Sequence, residues 1–431
     1  MELINNNQVP EGYKKTEAGV IPEDWEPYKI DDVVSFSGGS QPPRSTFIFK
    51  PRAGYLRLIQ IRDYKTDEYE TYIPEKLAKK KCAKKDIMIG RYGPPIFQIL
   101  RGIEGAYNVA IIKAIPSSKV DQEFFYYFIQ DEKIFKLMEM LSQRSSGQTG
   151  VDLPELKKYS LGLPPLPEQK AIAQTLSDVD ALIDELDKLI AKKRHIKTAT
   201  MQQLLTGKTR LPGFCGEWEI KKVGTLGSTY GGLTGKKKSD FGNGLFQYIT
   251  FLNIMNNIVI DTSIVEKVNI KKNENQNAVK KNDLFFNTSS ETPEEVGMCS
   301  ILTEEVADVY LNSFCFGFRL EDNVKIDGLY LTYFFRSDQG RNLIYSLAQG
   351  ATRYNLSKTN FLKLSLNLPP LPEQKAIAQV LSDIDTEITA LEKRRAKTQV
   401  IKQGMMQELL TGRTRLKFEP PDDPITKNSN G

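Results

Sequence analysis

LPPLPEQKAIAQ occupies residues 163–174, and the same twelve letters return at 368–379, an offset of 205. The copy runs on: LPPLPEQKAIAQTLSDVD (163–180) and LPPLPEQKAIAQVLSDID (368–385) differ at two positions. At the same offset MQQLLTGKTRL (201–211) matches MQELLTGRTRL (406–416), again with two differences. A repeat of this kind decides the architecture before any single element does.

Each copy reads as the start of a long helix. Pro164, Pro165 and Pro167 keep the approach extended, and Pro167 suits the first helical turn, where its missing N–H leaves no gap. Glu168 then sets negative charge at the positive helix end. Apolar residues follow in alternating steps of four and three: Ile172, Leu176, Val179, Ile183, Leu186 and Ile190. The second copy repeats the seam with Ile377, Leu381, Ile384, Ile388 and Leu391, and the pattern ends at Arg395. Such a seam requires a partner helix. Gly207 and Gly412 punctuate the two ends, which leaves about forty residues of helix, roughly 60 Å long. The simplest partner for each seam is the other, and an antiparallel pair places one block at each end, whereas a parallel pair crowds both at one end.

The segments before each helix share a skeleton with few letters in common. IPEDWEPYKI (21–30) echoes FCGEWEIKKV (214–223), which aligns the only two tryptophans, Trp25 and Trp218. Thirteen residues beyond each lies a glycine pair, Gly38-Gly39 and Gly231-Gly232. AKKDIMIGRYG (83–93) mirrors VKKNDLFFNTSS (279–290), and GQTGVDLPEL (147–156) mirrors GATRYNLSKT (350–359). Short strand-like runs (55–61, 108–115, 245–252, 313–320) precede one helical segment in each block, at 123–141 and 329–347. The aromatic stripes of those segments read as core.

The expected fold is therefore mixed α/β (α+β): two globular domains separated by a pair of long antiparallel coiled-coil helices, a pseudo-two-fold internal duplication. The expected divisions are an N-terminal arm (1–19), a first block (20–160), a repeated region with its spacer helix (161–212), a second block (213–366), a second repeated region (367–416) and a disordered tail (417–431).

A formal charge of +5 on 431 residues permits nucleic-acid binding without demanding it. No run of 18 apolar residues is present, and MELINNNQVPEGYKK lacks the apolar stretch of a signal peptide. The four cysteines form no CxxC pair and read as reduced thiols. Catalytic patterns are equally scarce. The one histidine, His195, sits in a charged stretch of helix, GLTGKKKS lacks Walker A spacing, and no carboxylate spacing marks a metal or an acid–base pair. No catalytic residue and no metal ligand is assigned.

Polar and basic loops remain as candidate readers of nucleic acid. They hold Arg44, Arg91, Tyr92, Gln98 and Gln148 in the first block, and Lys236, Lys237, Lys238, Asn287, Thr288, Ser289, Arg353 and Tyr354 in the second. These are the residue types that grip phosphates and read base edges, although ordinary solvent-exposed loops share the composition. The lysine run 236–238 is the expected phosphate contact.

The LPPLPEQKAIA…LSD helices, the junction MQQLLTGKTRLPGF–GEW at 201–218 and the opening GVIPEDWE at 19–26 resemble the specificity subunits of type I restriction–modification enzymes. The resemblance spans nearly the whole chain. It implies two target-recognition domains, each reading one half of a split double-stranded DNA site, with the helices setting the gap. It also implies two docked modification subunits that use S-adenosylmethionine to methylate adenine N6, and restriction subunits that add ATP- and Mg-dependent translocation and cleavage. This subunit would itself be non-catalytic, without cofactor, and located in the prokaryotic cytoplasm. A DNA-binding adaptor of another defence assembly and a coiled-coil scaffold without DNA binding remain the alternatives.

Overall fold

The computed structural model describes residues 9–144, 150–350 and 353–416, with Arg144 described in its backbone alone. Gln148 and the tail at 417–431 lie outside them. The chain divides into two compact units, residues 1–185 with 394–431 and residues 186–393. The repeated sequence forms two helices of identical length, Leu166–Leu204 and Leu371–Leu409, and each contributes to both units.

In the first unit a four-stranded antiparallel sheet has the order Val34–Gly38, Ile111–Pro116, Ile87–Gly90, Gln98–Leu100. A second sheet pairs Tyr55–Ile59 in parallel with Gly105–Tyr107, flanked by Tyr72–Pro74 and Lys81–Cys82. The second unit repeats the plan. Its antiparallel sheet runs Gly227–Gly231, Cys315–Leu320, Leu284–Asn287, Cys299–Ile301. Its other sheet pairs Phe241–Ile249 in parallel with Val309–Leu311, flanked by Val265–Val268. A two-stranded ladder closes each domain onto its helix start, Glu26–Lys29 with Ser160–Leu163 and Glu219–Lys222 with Ser365–Leu368.

The single helical segment expected in each block is two helices. Gln122–Phe128 gives way to Glu132–Arg144, and Gly328–Arg336 to Asp338–Tyr345. The cause is side-chain capping: Asp131 accepts from the Lys133 N–H, and Ser337 from the Gly340 N–H, so a new helix starts at each point. The aromatic stripes are core, as expected, with Phe124, Phe125, Tyr127, Tyr330, Tyr333, Phe334 and Phe335 all buried.

Within each unit the two long helices run antiparallel. In the second unit Lys193 pairs with Glu387 and Lys197 with Asp385, so one number rises as the other falls. In the first, Glu168 pairs with Arg415 and Asp180 with Lys402. The offset of 205 converts one unit's pairs into the other's. Asp180 becomes Asp385 and Lys402 becomes Lys197, so the two helices exchange roles. Ile172, Leu176, Ile183, Leu186, Ile377, Leu381 and Ile388 are buried as the seam predicts, and Val179, Ile384 and Leu391 are half-buried. The second seam does not end at Arg395, however. Burial continues through Thr398 and the Lys402 side chain, which is 14 % exposed because Asp180 supplies a counter-charge at 2.5 Å. Sequence periodicity cannot see a seam position filled by a paired lysine.

A buried junction ties each helix start to the end of the other helix. Glu168 is fully buried; it accepts two hydrogen bonds from Arg415 (2.6 and 2.7 Å) and one from the Trp25 indole at 3.1 Å. Glu373, also fully buried, accepts from Arg210, whose guanidinium lies 5.8 Å from the Trp218 ring. These glutamates therefore do more than complement a helix dipole. The turn past each helix uses a left-handed glycine, Gly207 and Gly412, both at φ +70°. A Cβ at Gly412 would fall 2.6 Å from the Pro22 ring, so the glycine also makes room for the junction.

Candidate nucleic-acid interface

Three backbone segments meet at one edge of each antiparallel sheet, the rim of strand ends past its central pair. In the first unit the strand Ile87–Gly90 delivers Arg91, whose N–H donates to the Ala110 carbonyl at 2.8 Å. The Arg91 carbonyl accepts from the Val151 N–H at 3.0 Å, and Tyr92 bridges Gly150. In the second unit Leu284–Asn287 delivers Thr288, which donates to the Phe314 carbonyl at 2.8 Å and accepts from the Leu356 N–H at 2.9 Å. Ser289 and Ser290 pair with Asn355 and Tyr354. The matching bonds equate Arg91 with Thr288 and Ala110 with Phe314.

The middle segment is an Asn-nucleated turn in both units. The Asn108 carboxamide oxygen accepts from the Ala110 N–H at 3.1 Å, and that of Asn312 from the Phe314 N–H at 2.8 Å. The glycine pairs explain themselves here. A Cβ on Gly39 would lie 1.9 Å from the Asn108 carbonyl oxygen, and one on Gly232 lies 2.0 Å from that of Asn312. Only glycine permits the approach.

The same frame presents different chemistry in the two units. The first shows exposed Arg91, its guanidinium 5.3 Å from the Tyr92 ring centre. Gln98 stands on the far side of that loop and is half-buried, its amide donating to the Pro95 carbonyl at 2.9 Å. The second shows Thr288, the 57 %-exposed ring of Phe314, and exposed Arg353 at 6.0 Å from that ring. Tyr354 is half-buried beside them. Arginine suits guanine edges or phosphates, while a phenyl ring and a threonine methyl suit a thymine methyl.

Three expected readers are placed elsewhere by the structure. Asn287 is fully buried, its amide donating to Ser289 and Glu295 carbonyls and its oxygen accepting from the Met298 N–H, so it shapes the loop from inside. Ser289 is a buried strand residue. The Lys236 side chain is 2 % exposed and tied to Glu274 and to the Asn269 carbonyl, where it braces its own loop and is closed to a phosphate. Lys237, Lys238 and Arg44 are exposed, on loops apart from the three-segment edge. Sequence reading missed Asn108, Asn312 and Phe314. The usable signal was the recurrence of an asparagine three residues before the buried β-run in both blocks.

Of the four free cysteines, Cys82, Cys299 and Cys315 are buried and Cys215 is exposed. Burial pushes Cys82 up to about 11 and Cys299 up to about 12, which keeps both protonated. No group of three His, Cys, Asp or Glu side chains able to hold a metal occurs among the described residues.

Comparison with known proteins decides the family. The model described as Type I restriction modification DNA specificity domain matches the chain twice, at residues 22–196 and 216–403. The chain belongs to this family. The type I restriction enzyme MjaVIII specificity subunit of Methanocaldococcus jannaschii is 24% identical over 97% of this chain and 99% of its own. The type I restriction enzyme StySPI specificity subunit of Salmonella potsdam is 23% identical over 87% of this chain and 85% of its own. A crystal structure of the S subunit of a type I restriction–modification system from M. genitalium superposes with a TM-score of 0.56 at 14% identity, covering 95% of this chain and 98% of that one.

As a type I specificity subunit, the chain carries two target-recognition domains, one per family match. Specificity subunits are non-catalytic, and no described helix is long and apolar enough to cross a membrane.

Proposed function

We propose that this specificity subunit reads a bipartite, asymmetric double-stranded DNA site, one half-site per recognition domain. The observation that carries the reading is the pair of edges built alike but filled differently. Arg91 stands in one where Thr288 stands in the other, and Ala110 where Phe314 stands. Two readers of one design with different side chains read two different half-sequences, which a symmetric dimer cannot do. Arg91, Tyr92, Gln98, Thr288, Arg353 and Tyr354 are the proposed base-facing or phosphate-facing residues.

Two modification subunits dock on the helices in this reading, and restriction subunits join in the larger assembly. Support comes from the solvent side of the repeat. Lys170, Gln174 and Asp178 form an exposed stripe at helical spacing, and Lys375, Gln379 and Asp383 form the same stripe in the second copy. In each, the glutamine amide donates to the aspartate at 2.7 Å. Exposed letters that recur in register give two copies of one partner the same surface. S-adenosylmethionine, ATP and Mg belong to those partners, and the assembly works in the prokaryotic cytoplasm.

Base-resolution mapping of methyladenine in host DNA, with and without the gene, tests the proposal. A split asymmetric motif that disappears on deletion is the expected result. Identical methylation in both strains contradicts it and leaves an adaptor without modification partners.

A further inference from the structure

A second loop, outside the three-segment edge, is also built alike in both domains. After the glycine pair the chain makes one 3-10 turn, Arg44–Thr46 in the first unit and Lys238–Asp240 in the second. It then loops out before re-entering the parallel-paired strand. In the second unit Val268 pairs with both Phe241 and Phe246, so residues 242–245 bulge from the ladder. In the first, Tyr72 pairs with both Ile48 and Arg57, and residues 49–54 loop out between Ile48 and the strand that starts at Tyr55. A left-handed glycine stands at the end of the first loop and next to last in the second, Gly54 at φ +80° and Gly244 at φ +105°, and a Cβ on Gly244 would lie 2.4 Å from the Val268 carbonyl oxygen.

These loops carry the most exposed large apolar side chain of each unit among the described residues. Phe49 is 73 % exposed and Leu245 is 96 % exposed. Neither joins a buried cluster, so the fold gains nothing from them. The loop segments themselves are rich in cations. Residues 40–54 contain Arg44, Lys50 and Arg52 and no carboxylate. Residues 232–246 contain Lys236, Lys237 and Lys238 with one acid, Asp240, which is occupied by the Lys237 backbone N–H at 2.8 Å. Lys236 anchors the loop, and Lys237, Lys238, Arg44, Lys50 and Arg52 are exposed. One apolar tip on a braced, cation-flanked loop, present in both domains, has the chemistry of a side chain pressed between stacked bases while its neighbours hold phosphates.

We infer that Phe49 and Leu245 are wedges, each opening a base step in its own half-site, with Arg44, Lys50 and Arg52 or Lys237 and Lys238 on the flanking phosphates. The inference rests on the DNA-reading proposal and adds a distortion step to it. The loops share a position but not an aligned residue: Phe49 lies near the loop entrance and Leu245 at its exit.

The test uses the full chain assembled with its modification subunits and a duplex carrying the mapped site, with 2-aminopurine placed at bases other than the methylated adenine. Wild type raises the fluorescence at one step in each half-site. Phe49→Ala removes the signal from one half and Leu245→Ala from the other, each with about tenfold or greater loss of affinity for the site. Affinity for unrelated DNA stays unchanged, and Phe49→Leu and Leu245→Phe restore the signal. Ile220→Ala, which removes a 77 %-exposed side chain off the loops, has no effect. Unchanged affinity and fluorescence in both alanine variants overturn the wedges and leave the half-site reading standing. Lost methylation with intact DNA binding also overturns them, because the tips then contact protein. A wild-type assembly with no preference for the site overturns the wedges together with the reading beneath them.

Discussion

The two recognition domains share their topology with almost no shared core, whereas the two helices share nearly every letter. Ile89 and Ile112 face each other across the central pair of the first sheet, where the second has Phe286 and Phe316. Ala114 stands where Phe318 stands, and Leu156 where Phe361 stands. The second core is consequently a cluster of stacked and edge-on rings at 4.8–5.6 Å, built on the ladder that the first fills with aliphatic chains. A strand pattern tolerates such repacking so long as the apolar face keeps its period. Folding alone therefore does not hold residues fixed in this chain. The helices keep even their exposed Lys170, Gln174 and Asp178 as Lys375, Gln379 and Asp383, a likeness that the proposed docking of two copies of one partner would account for.

The comparison can be broken at several points, the largest effect being on the site itself. Seven residues added to each helix at equivalent positions near Ile190 and Arg395 keep the seam in register and extend each helix by about 10 Å. The unread gap of the methylated motif is then expected to grow by about three base pairs at ~3.4 Å each. An unchanged gap removes the helices as the ruler.

Next come the seam residues that the repeat makes equivalent. Leu176 and Leu381 are both fully buried. Leu176→Ala and Leu381→Ala are each expected to cost about 2–5 kcal/mol, with closely similar values. Hydrogen exchange reads the loss separately, in the helix start around Ile172 for one and around Ile377 for the other. Clearly unequal losses mean that the two units do not pack their helices alike.

A smaller effect separates the two junctions. Arg415 donates to Glu168 and also to Asp24, at 2.7 and 2.8 Å, whereas Arg210 donates to Glu373 and to the Gly216 carbonyl. Glu168→Gln leaves its arginine a carboxylate, and Glu373→Gln leaves its arginine none among the described residues. The second variant is therefore expected to lower the unfolding midpoint more than the first. Equal midpoints sink the distinction.

The smallest effect is on acid stability. The hydrogen bond from Arg415 holds the Asp24 carboxyl below its ordinary value of 3.8. A carboxylate lowered in the folded state stabilises above its unfolded pKa and loses that contribution as pH falls through the lowered value. Between about pH 4 and pH 2, Asp24→Asn should flatten the acid dependence of the first unit by a small amount, since the pair is partly exposed. A steeper acid limb in the variant contradicts the assignment.

Much of this was legible in sequence because repetition reports architecture directly. The twelve-letter copy located both helices, and the four–three spacing gave their buried face. Where polar residues took structural work, sequence was silent. Lys402 occupies a seam position that only its pairing with Asp180 explains, and Glu168 is a buried junction where the sequence was read only as negative charge at a helix start. The interface divides the same way. Arg91, Thr288 and Arg353 were legible as loop residues of suitable chemistry, and they do lie at the edge. Asn287 and Lys236 have the same chemistry but spend it inside the domain, a distinction set by burial, which letters do not carry. Phe314 was counted with the strand because an apolar letter beside a buried run reads as part of it.

Exchange of one recognition domain tests the central claim most directly. Residues 213–366 are replaced by the corresponding domain of another family member, both helices are kept, and methyladenine is mapped at base resolution. One half of the motif should change while the other half stays fixed. A change in both halves, or in neither, contradicts a shared scaffold carrying two independent readers.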